Sequence, residues 1–111
     1  MKAKDKRNRS RVPLDVYLNK YVAGVPYMAR SANISSEGLG VAHLLEPQER
    51  NGKRVGLQFQ LPGSEEVIYA EGEVVREWAS PKAEGSGIRF TLLTERHRRL
   101  IDQYVSTFGD K

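Results

Sequence analysis

The sequence predicts an all-β domain of six antiparallel strands, arranged as a small barrel or a sandwich and followed by one α-helix. The first observation is a succession of six segments of β-type residues separated by turn sequences. The second is a change of period after the sixth segment, where apolar residues recur at helical spacing. The third is the length of 111 residues, which suits one domain with a single modest core.

Three strands are predicted in the N-terminal half, over residues 12–18, 27–34 and 39–45. Apolar and polar residues alternate in the first of them, as in a strand with one buried face. Pro13 stands at its start, where a missing backbone N–H is tolerated. The sequence "AGVP" at 23–26 has turn chemistry, so the second strand is expected to pair back on the first.

Three more strands are predicted over residues 55–61, 67–78 and 87–93. They are separated by turn or loop sequences that include Asn51-Gly52, "PGSE" at 62–65 and "SPKAEGS" at 80–86. Gly72 interrupts the long fifth strand and predicts a bulge or a sharp bend there. In the sixth strand, Ile88, Phe90 and Leu92 are expected to share the buried face because they alternate.

The C-terminal helix is predicted over about residues 94–108. Its apolar stripe consists of Leu100, Ile101, Tyr104, Val105 and Phe108. Thr94 is a suitable N-cap and Gly109 a suitable stop. We expect the helix to cover an open end or edge of the β-structure.

The positive charge of the chain is concentrated at its N-terminus. Residues 1–11 contain six of the 18 basic residues and one of the 14 acidic residues, a net charge of +5. The other 100 residues contain 12 basic and 13 acidic residues, a net charge of −1. We therefore expect a flexible basic arm over 1–11 and the barrel with its helix over 12–111. Such an arm either clamps phosphate, nucleic acid or anionic lipid, or remains a solvated tail.

Several classes of function lack support in the sequence. The chain has no cysteine, which removes disulfides and thiolate metal sites. His43 and His97 have no metal-ligand spacing, and no Gly-x-Ser-x-Gly elbow surrounds Ser35. No apolar run approaches 18 residues, and the charged N-terminus is not a secretory signal. We expect a cytoplasmic protein without enzymatic activity, metal, cofactor or membrane insertion.

Two short motifs contain the chemistry that remains. Arg7 and Arg11 form an Arg-x-x-x-Arg pair just before the first strand, and each guanidinium can grip phosphate or the O6 and N7 edge of guanine. Asn33, Ser35 and Gly38 form an Asn-x-Ser-x-x-Gly corner after the second strand. The corner taken alone is also typical of an ordinary polar turn.

The order of these motifs resembles that of the PilZ domain family, the bacterial receptors for the second messenger cyclic di-GMP (c-di-GMP). The resemblance extends over about residues 7–108 and includes "VPL" after the arginine pair and "GSGIRF" before the helix. It implies a six-stranded antiparallel barrel with a C-terminal helix. It also implies that Arg7 and Arg11 clamp c-di-GMP against Asn33, Ser35 and Gly38. Asn33 occupies a position where many members have Asp, and so lacks a carboxylate acceptor for guanine N–H groups.

Further residues are secondary candidates for contact with the ligand: Lys6, Ser36, Arg76, Trp78 and Arg89. Lys6 neighbours the arginine pair, and the resemblance implies that the residue at this position influences whether one ligand or a stacked pair binds. Trp78 either packs on the barrel rim or forms a wall against a guanine, with Arg76 on the same side of its strand. Arg89 is expected to point out of the core.

The resemblance implies a stand-alone c-di-GMP receptor whose arm is mobile until the ligand binds. Its output would act through an effector protein in trans, in motility, biofilm formation or exopolysaccharide production. One alternative is a nucleic-acid-binding module that uses the basic arm, although the acidic body and few aromatic residues disfavour it. Another is a PilZ-type adaptor that binds only protein, which the intact motifs disfavour.

Overall fold

The computed structural model of the chain describes residues 11–42, 52–79 and 84–109. This part of the chain forms seven strands and one helix. The strands are β1 (Val12–Pro13), β2 (Tyr17–Val22), β3 (Val25–Ile34), β4 (Gly38–Ala42), β5 (Arg54–Phe59), β6 (Ile68–Ala79) and β7 (Glu84–Leu93), and the helix is α1 (Glu95–Gly109). No helix in these three ranges has the length and apolar character needed to cross a bilayer.

The sheet closes into a barrel in which all strand pairs are antiparallel. Its strands follow the order β3-β2-β5-β6-β7-β4, and β4 pairs with β3 to complete the ring. The short strand β1 also pairs with β3, beyond the end of β2. The predicted six-stranded antiparallel barrel with a C-terminal helix is therefore confirmed.

The first predicted strand is divided into β1 and β2 by a break over residues 14–16. Ser31 of β3, whose exposure is only 4%, bridges this break. Its hydroxyl donates to the Leu14 carbonyl at 2.6 Å and accepts the Val16 N–H at 2.9 Å. The hydroxyl thus satisfies backbone groups that a continuous ladder would have paired. As a result β1 remains on β3, next to Ile34 and Asn33.

One hairpin turn agrees with the sequence prediction and another differs from it. Ala23 and Gly24, with φ of 52° and 81°, join β2 to β3 in a two-residue turn, as "AGVP" predicted. By contrast, Glu84, Gly85 and Ser86 were expected in a loop but belong to β7. Antiparallel pairing with the end of β6 extends this hairpin and overrides the turn propensity of these residues.

An irregularity lies at Gly72, as predicted, but the extra residue is in the partner strand β7 and not in the predicted fifth strand. Glu71 pairs with Leu92 and Gly72 with Phe90, so Thr91 is an extra residue in β7. The extra residue reverses the alternation beyond it. Leu92 is therefore 49% exposed, and its expected place beside Phe90 on the buried face is wrong.

The core lies inside the barrel and under α1. Ile101 and Val105 are the buried residues of the helix. The predicted N-cap is confirmed, because the His97 N–H donates to Thr94 Oγ1 at 3.2 Å. The Tyr104 hydroxyl donates to the Pro13 carbonyl at 3.4 Å, so the C-terminal half of the helix contacts β1.

Candidate functional site

A bulge in β3 aims the side chain of Asn33 at the outer surface. Ser31 pairs with Val41 and Asn33 with Gly40, so Ala32 is an extra residue. Without it, Asn33 would share the inward face with buried Ser31. The bulge instead leaves Ala32 exposed and Asn33 half-buried, while Ile34 is buried. A local irregularity, rather than simple alternation, thus presents the first polar group of the corner.

Ser35 serves both the turn and the site. Its N–H donates to the Gly38 carbonyl at 2.9 Å, and its Oγ accepts the Glu37 N–H at 3.1 Å. The side chain is only 2% exposed, so these bonds hold the hydroxyl in one place. Ser35 therefore behaves as in an ordinary polar turn, with hydrogen bonds to the backbone of the corner. These bonds are compatible with a role in binding.

Arg11 lies on this corner and joins its two polar side chains. Its Nε donates to Asn33 Oδ1 at 2.7 Å, and its Nη1 donates to Ser35 Oγ at 3.3 Å. Pairing of β1 with the end of β3 causes this meeting, because Arg11 directly precedes Val12. The second arginine of the predicted pair and the corner are thus brought together. Arg7 and Lys6 lie outside the described residues.

Two glycines of β4 make room at the corner. A Cβ atom on Gly38 would collide with the Ile88 carbonyl oxygen of β7, so only glycine permits this close pairing. A Cβ atom on Gly40 would lie 2.7 Å from Asn33 Oδ1. Gly40 was not among the predicted site residues, yet it provides the space that the Asn33 amide occupies.

A groove of about 340 Å³ opens beside the corner. It is lined by Arg11, Glu37, Gly38, Val75, Arg76, Gly87, Ile88 and Arg89. A second bulge shapes it, because Val74 pairs with Ile88 and Arg76 with Gly87, which leaves Val75 as an extra residue. Val75 and Arg76 are consequently both exposed, and Arg76 reaches the groove. The groove therefore collects three of the predicted arginines on one surface.

The electrostatics of the groove favour an anion. Desolvation lowers the pKa of Arg11, the positive charge of Arg76 lowers it further, and Glu37 acts in the opposite direction. Arg11 remains charged at neutral pH, since a guanidinium is not deprotonated in proteins. An anion between Arg11 and Arg76 would relieve their repulsion. The positive charge of Arg89 is compensated in part by Glu73, because its Nη2 lies 2.7 Å from Glu73 Oε1 in an ion pair.

Other predicted residues lie at varying distances from this groove. Ser36 lines a neighbouring hollow that also contains Arg89. The backbone of Trp78 pairs with Gly85 in the β6–β7 hairpin, two residues beyond Arg76, and its side chain is outside the described part. Glu37 and Val75 were missed. The position of Glu37 inside the corner motif was the available signal, whereas Val75 depends on the bulge.

The site has the chemistry of a binding surface with basic, amide and hydroxyl groups. Over the described ranges, no group of three or more His, Cys, Asp or Glu side chains is placed to hold a metal ion. Arg54, at the start of β5, lines a different hollow together with Tyr21 and Tyr69. It therefore provides a matched arginine outside the groove.

The fold and the sequence were compared with known proteins. No curated protein matches the sequence significantly. Among solved structures, the inhibitor of motility MotI/DgrA of Bacillus subtilis has a TM-score of 0.80 at 21% identity, over 94% of this chain and 51% of that one. This chain therefore spans about half the length of MotI/DgrA.

Two structures determined with c-di-GMP are also similar. The PilZ domain of YcgR from Escherichia coli has a TM-score of 0.66 at 13% identity, over 94% of this chain and 92% of that one. PlzA of Borreliella burgdorferi has a TM-score of 0.65 at 15% identity, over 91% of this chain and 41% of that one. At these identities the structures establish the fold. The family model described as PilZ domain matches residues 5–107, and the chain belongs to this family.

Proposed function

We propose that this chain is a c-di-GMP receptor that holds its ligand between the arginine pair and the Asn33–Ser35–Gly38 corner. The observation that supports this most is the seat of Arg11, whose guanidinium bonds to Asn33 and Ser35 and also lines the groove. The PilZ domain of YcgR and PlzA were solved with the same nucleotide. Membership of the family and the geometry of the corner thus favour the same ligand.

The groups of the site match the chemistry of a cyclic dinucleotide. Arg11 and Arg76 line the groove, and each supplies a planar fork for a phosphate or for the O6 and N7 edge of guanine. The Asn33 amide supplies two N–H donors and a carbonyl oxygen, which already accepts from Arg11 Nε. Gly38 lines the groove, and its lack of a side chain permits the close pairing of β4 with β7 beneath it. None of these groups forms a nucleophile with an activating base, which fits a receptor that binds without enzymatic activity.

The arm before Arg11 would close over the ligand. Arg11 already lies on the corner, so in this proposal the residues that become ordered are those that precede it, including Arg7. Ordering costs roughly 1–2 kcal/mol per residue in backbone entropy. Hydrogen bonds to charged groups contribute about 1.5–3 kcal/mol each and offset that cost. The closed arm would change the surface offered to an effector protein, in the cytoplasm and without a cofactor.

Calorimetric titration with c-di-GMP tests this proposal. We expect Arg7→Ala and Arg11→Ala each to weaken binding at least about tenfold, because each removes a charge-assisted contact. Arg54→Ala is the matched control and should bind like the wild type. A wild-type protein that ignores c-di-GMP would overturn the proposal. Preferential, salt-dependent binding of random oligonucleotides would favour the nucleic-acid alternative instead.

A further inference from the structure

A smaller hollow of about 230 Å³ adjoins the groove and shares two of its walls, Glu37 and Arg89. It adds Ser36, Phe90 and Arg98 of α1. Sites for whole small molecules usually measure about 300–1,000 Å³. The groove is near the lower end of that range and the hollow is below it, so each fits part of a cyclic dinucleotide. Such a ligand would extend from one into the other.

Glu37 stands at the junction with its backbone fixed on both sides. Its N–H donates to Ser35 Oγ at 3.1 Å, and its carbonyl accepts the Phe90 N–H of β7 at 2.9 Å. Glu37 lines both the groove and the hollow from this anchored position, and its negative charge acts on Arg11 in the groove. A carboxylate accepts several hydrogen bonds at once. An ionised carboxylate is a negatively charged acceptor, whereas the Asn33 amide is neutral.

Arg98 faces the same hollow and is available for a ligand. Its guanidinium makes no hydrogen bond or ion pair with any side chain in the described ranges. Its neighbours on the helix differ, since Arg96 is paired with Glu66 at 2.7 Å and Arg99 with Glu95 at 3.6 Å. Arg98 and Glu37 thus bring a fork of donors and a carboxylate acceptor to one small cavity.

We propose that this hollow is a guanine-reading subsite in which Glu37 and Arg98 determine the base specificity of the receptor. Glu37 accepts hydrogen bonds from guanine N1–H and the N2 amino group, and Arg98 donates to O6 and N7. Adenine presents the opposite pattern at its Watson–Crick edge, so the pair selects against it. This inference rests on the proposed function.

The test compares c-di-GMP with cyclic di-IMP, which lacks the N2 amino groups, by calorimetry on the wild type and Glu37→Gln. Removal of the negative charge of Glu37 strengthens the binding of any anion, so a single affinity is ambiguous. The ratio of the two affinities cancels that general effect. We expect the wild type to prefer c-di-GMP by at least about fivefold, and Glu37→Gln to lose most of this preference. Glu65→Gln, an exposed acidic residue far from the hollow in sequence, should keep it.

If the ratio of the affinities for c-di-GMP and cyclic di-IMP were the same in the wild type and Glu37→Gln, the proposed subsite would be refuted. A second comparison tests Arg98: Arg98→Ala should weaken both nucleotides to a similar extent, by about threefold to tenfold, and Arg99→Ala should not. Wild-type affinity from Arg98→Ala would also overturn the proposal. Loss of binding in Arg11→Ala together with an unchanged ratio in Glu37→Gln would leave the receptor function standing and refute only this inference.

Discussion

Substitution of Gly40 by alanine is predicted to weaken the site while it leaves the barrel folded. The new Cβ atom would lie 2.7 Å from Asn33 Oδ1 and 3.1 Å from its Cγ and Nδ2 atoms. Favourable contacts between such atoms need about 3.5–4.0 Å. The amide must therefore shift by roughly 0.5–1 Å, which breaks the 2.7 Å bond from Arg11 Nε to Asn33 Oδ1.

The magnitude follows from that lost bond. A hydrogen bond to a charged group contributes about 1.5–3 kcal/mol, and the exposure of Arg11 to solvent favours the lower value. We therefore expect Gly40→Ala to bind c-di-GMP about tenfold more weakly than the wild type. Stability should fall by no more than about 1.5 kcal/mol, the value of the lost bond, because the displaced group is a side chain and alanine suits a strand at least as well as glycine. The domain should therefore remain folded.

Calorimetry and thermal melting measure the two effects separately. Gly56→Ala is the matched control, because its Cβ atom also meets a movable side chain, with Tyr69 Oη at 3.0 Å, but lies in a different hollow. It should bind like the wild type. Gly38→Ala should melt earlier, since its Cβ atom meets the backbone of β7. Wild-type affinity in a folded Gly40→Ala would refute the claim that the Asn33–Arg11 bond forms part of the site.

Three further predictions concern the framework. Ser31→Ala should lower the free energy of unfolding by about 1–3 kcal/mol in chemical denaturation, because it leaves buried backbone groups unpaired at the break between β1 and β2; an unchanged value would mean that water replaces the hydroxyl. Thr94→Ala should cost about 1 kcal/mol through loss of the helix N-cap, and a melting temperature equal to that of the wild type would contradict this assignment. Arg96 holds the pKa of the Glu66 carboxyl below its ordinary value, so this pair stabilises the fold above the unfolded pKa, near pH 4. The stability difference between wild type and Glu66→Gln should thus be present at neutral pH and shrink as the pH falls through the lowered pKa; a constant difference would be inconsistent with this ion pair.

Local sequence was sufficient to predict most of the barrel, since alternation and turn residues are short-range signals. The break between β1 and β2 was not predictable in this way. Alternation continues through residues 14–16, and the break depends on the hydroxyl of Ser31, which is distant in sequence. Gly85 and Ser86 favour turns locally, but cross-strand pairing places them in β7. In each case a tertiary contact overrides a local preference.

The site shows the same division. The contact of Arg11 with Asn33 and Ser35 was expected from the two motifs, because both motifs are defined by residue types at fixed spacing. The directions of the Asn33 and Arg76 side chains depend on bulges at Ala32 and Val75, and no residue type marks those positions. Gly40 became recognisable only when the position of the Asn33 amide above it was known.

The most direct test of the account is a nuclear magnetic resonance titration that follows side-chain N–H signals as c-di-GMP is added. The account predicts saturable shifts of the Arg11 Nε–H and the Asn33 amide signals, together with the backbone N–H of Gly38. The Arg54 Nε–H signal should stay unchanged, because that side chain lies in a different hollow. Shifts confined to Arg54 and its neighbours, or no shifts at all at saturating nucleotide, would contradict the account.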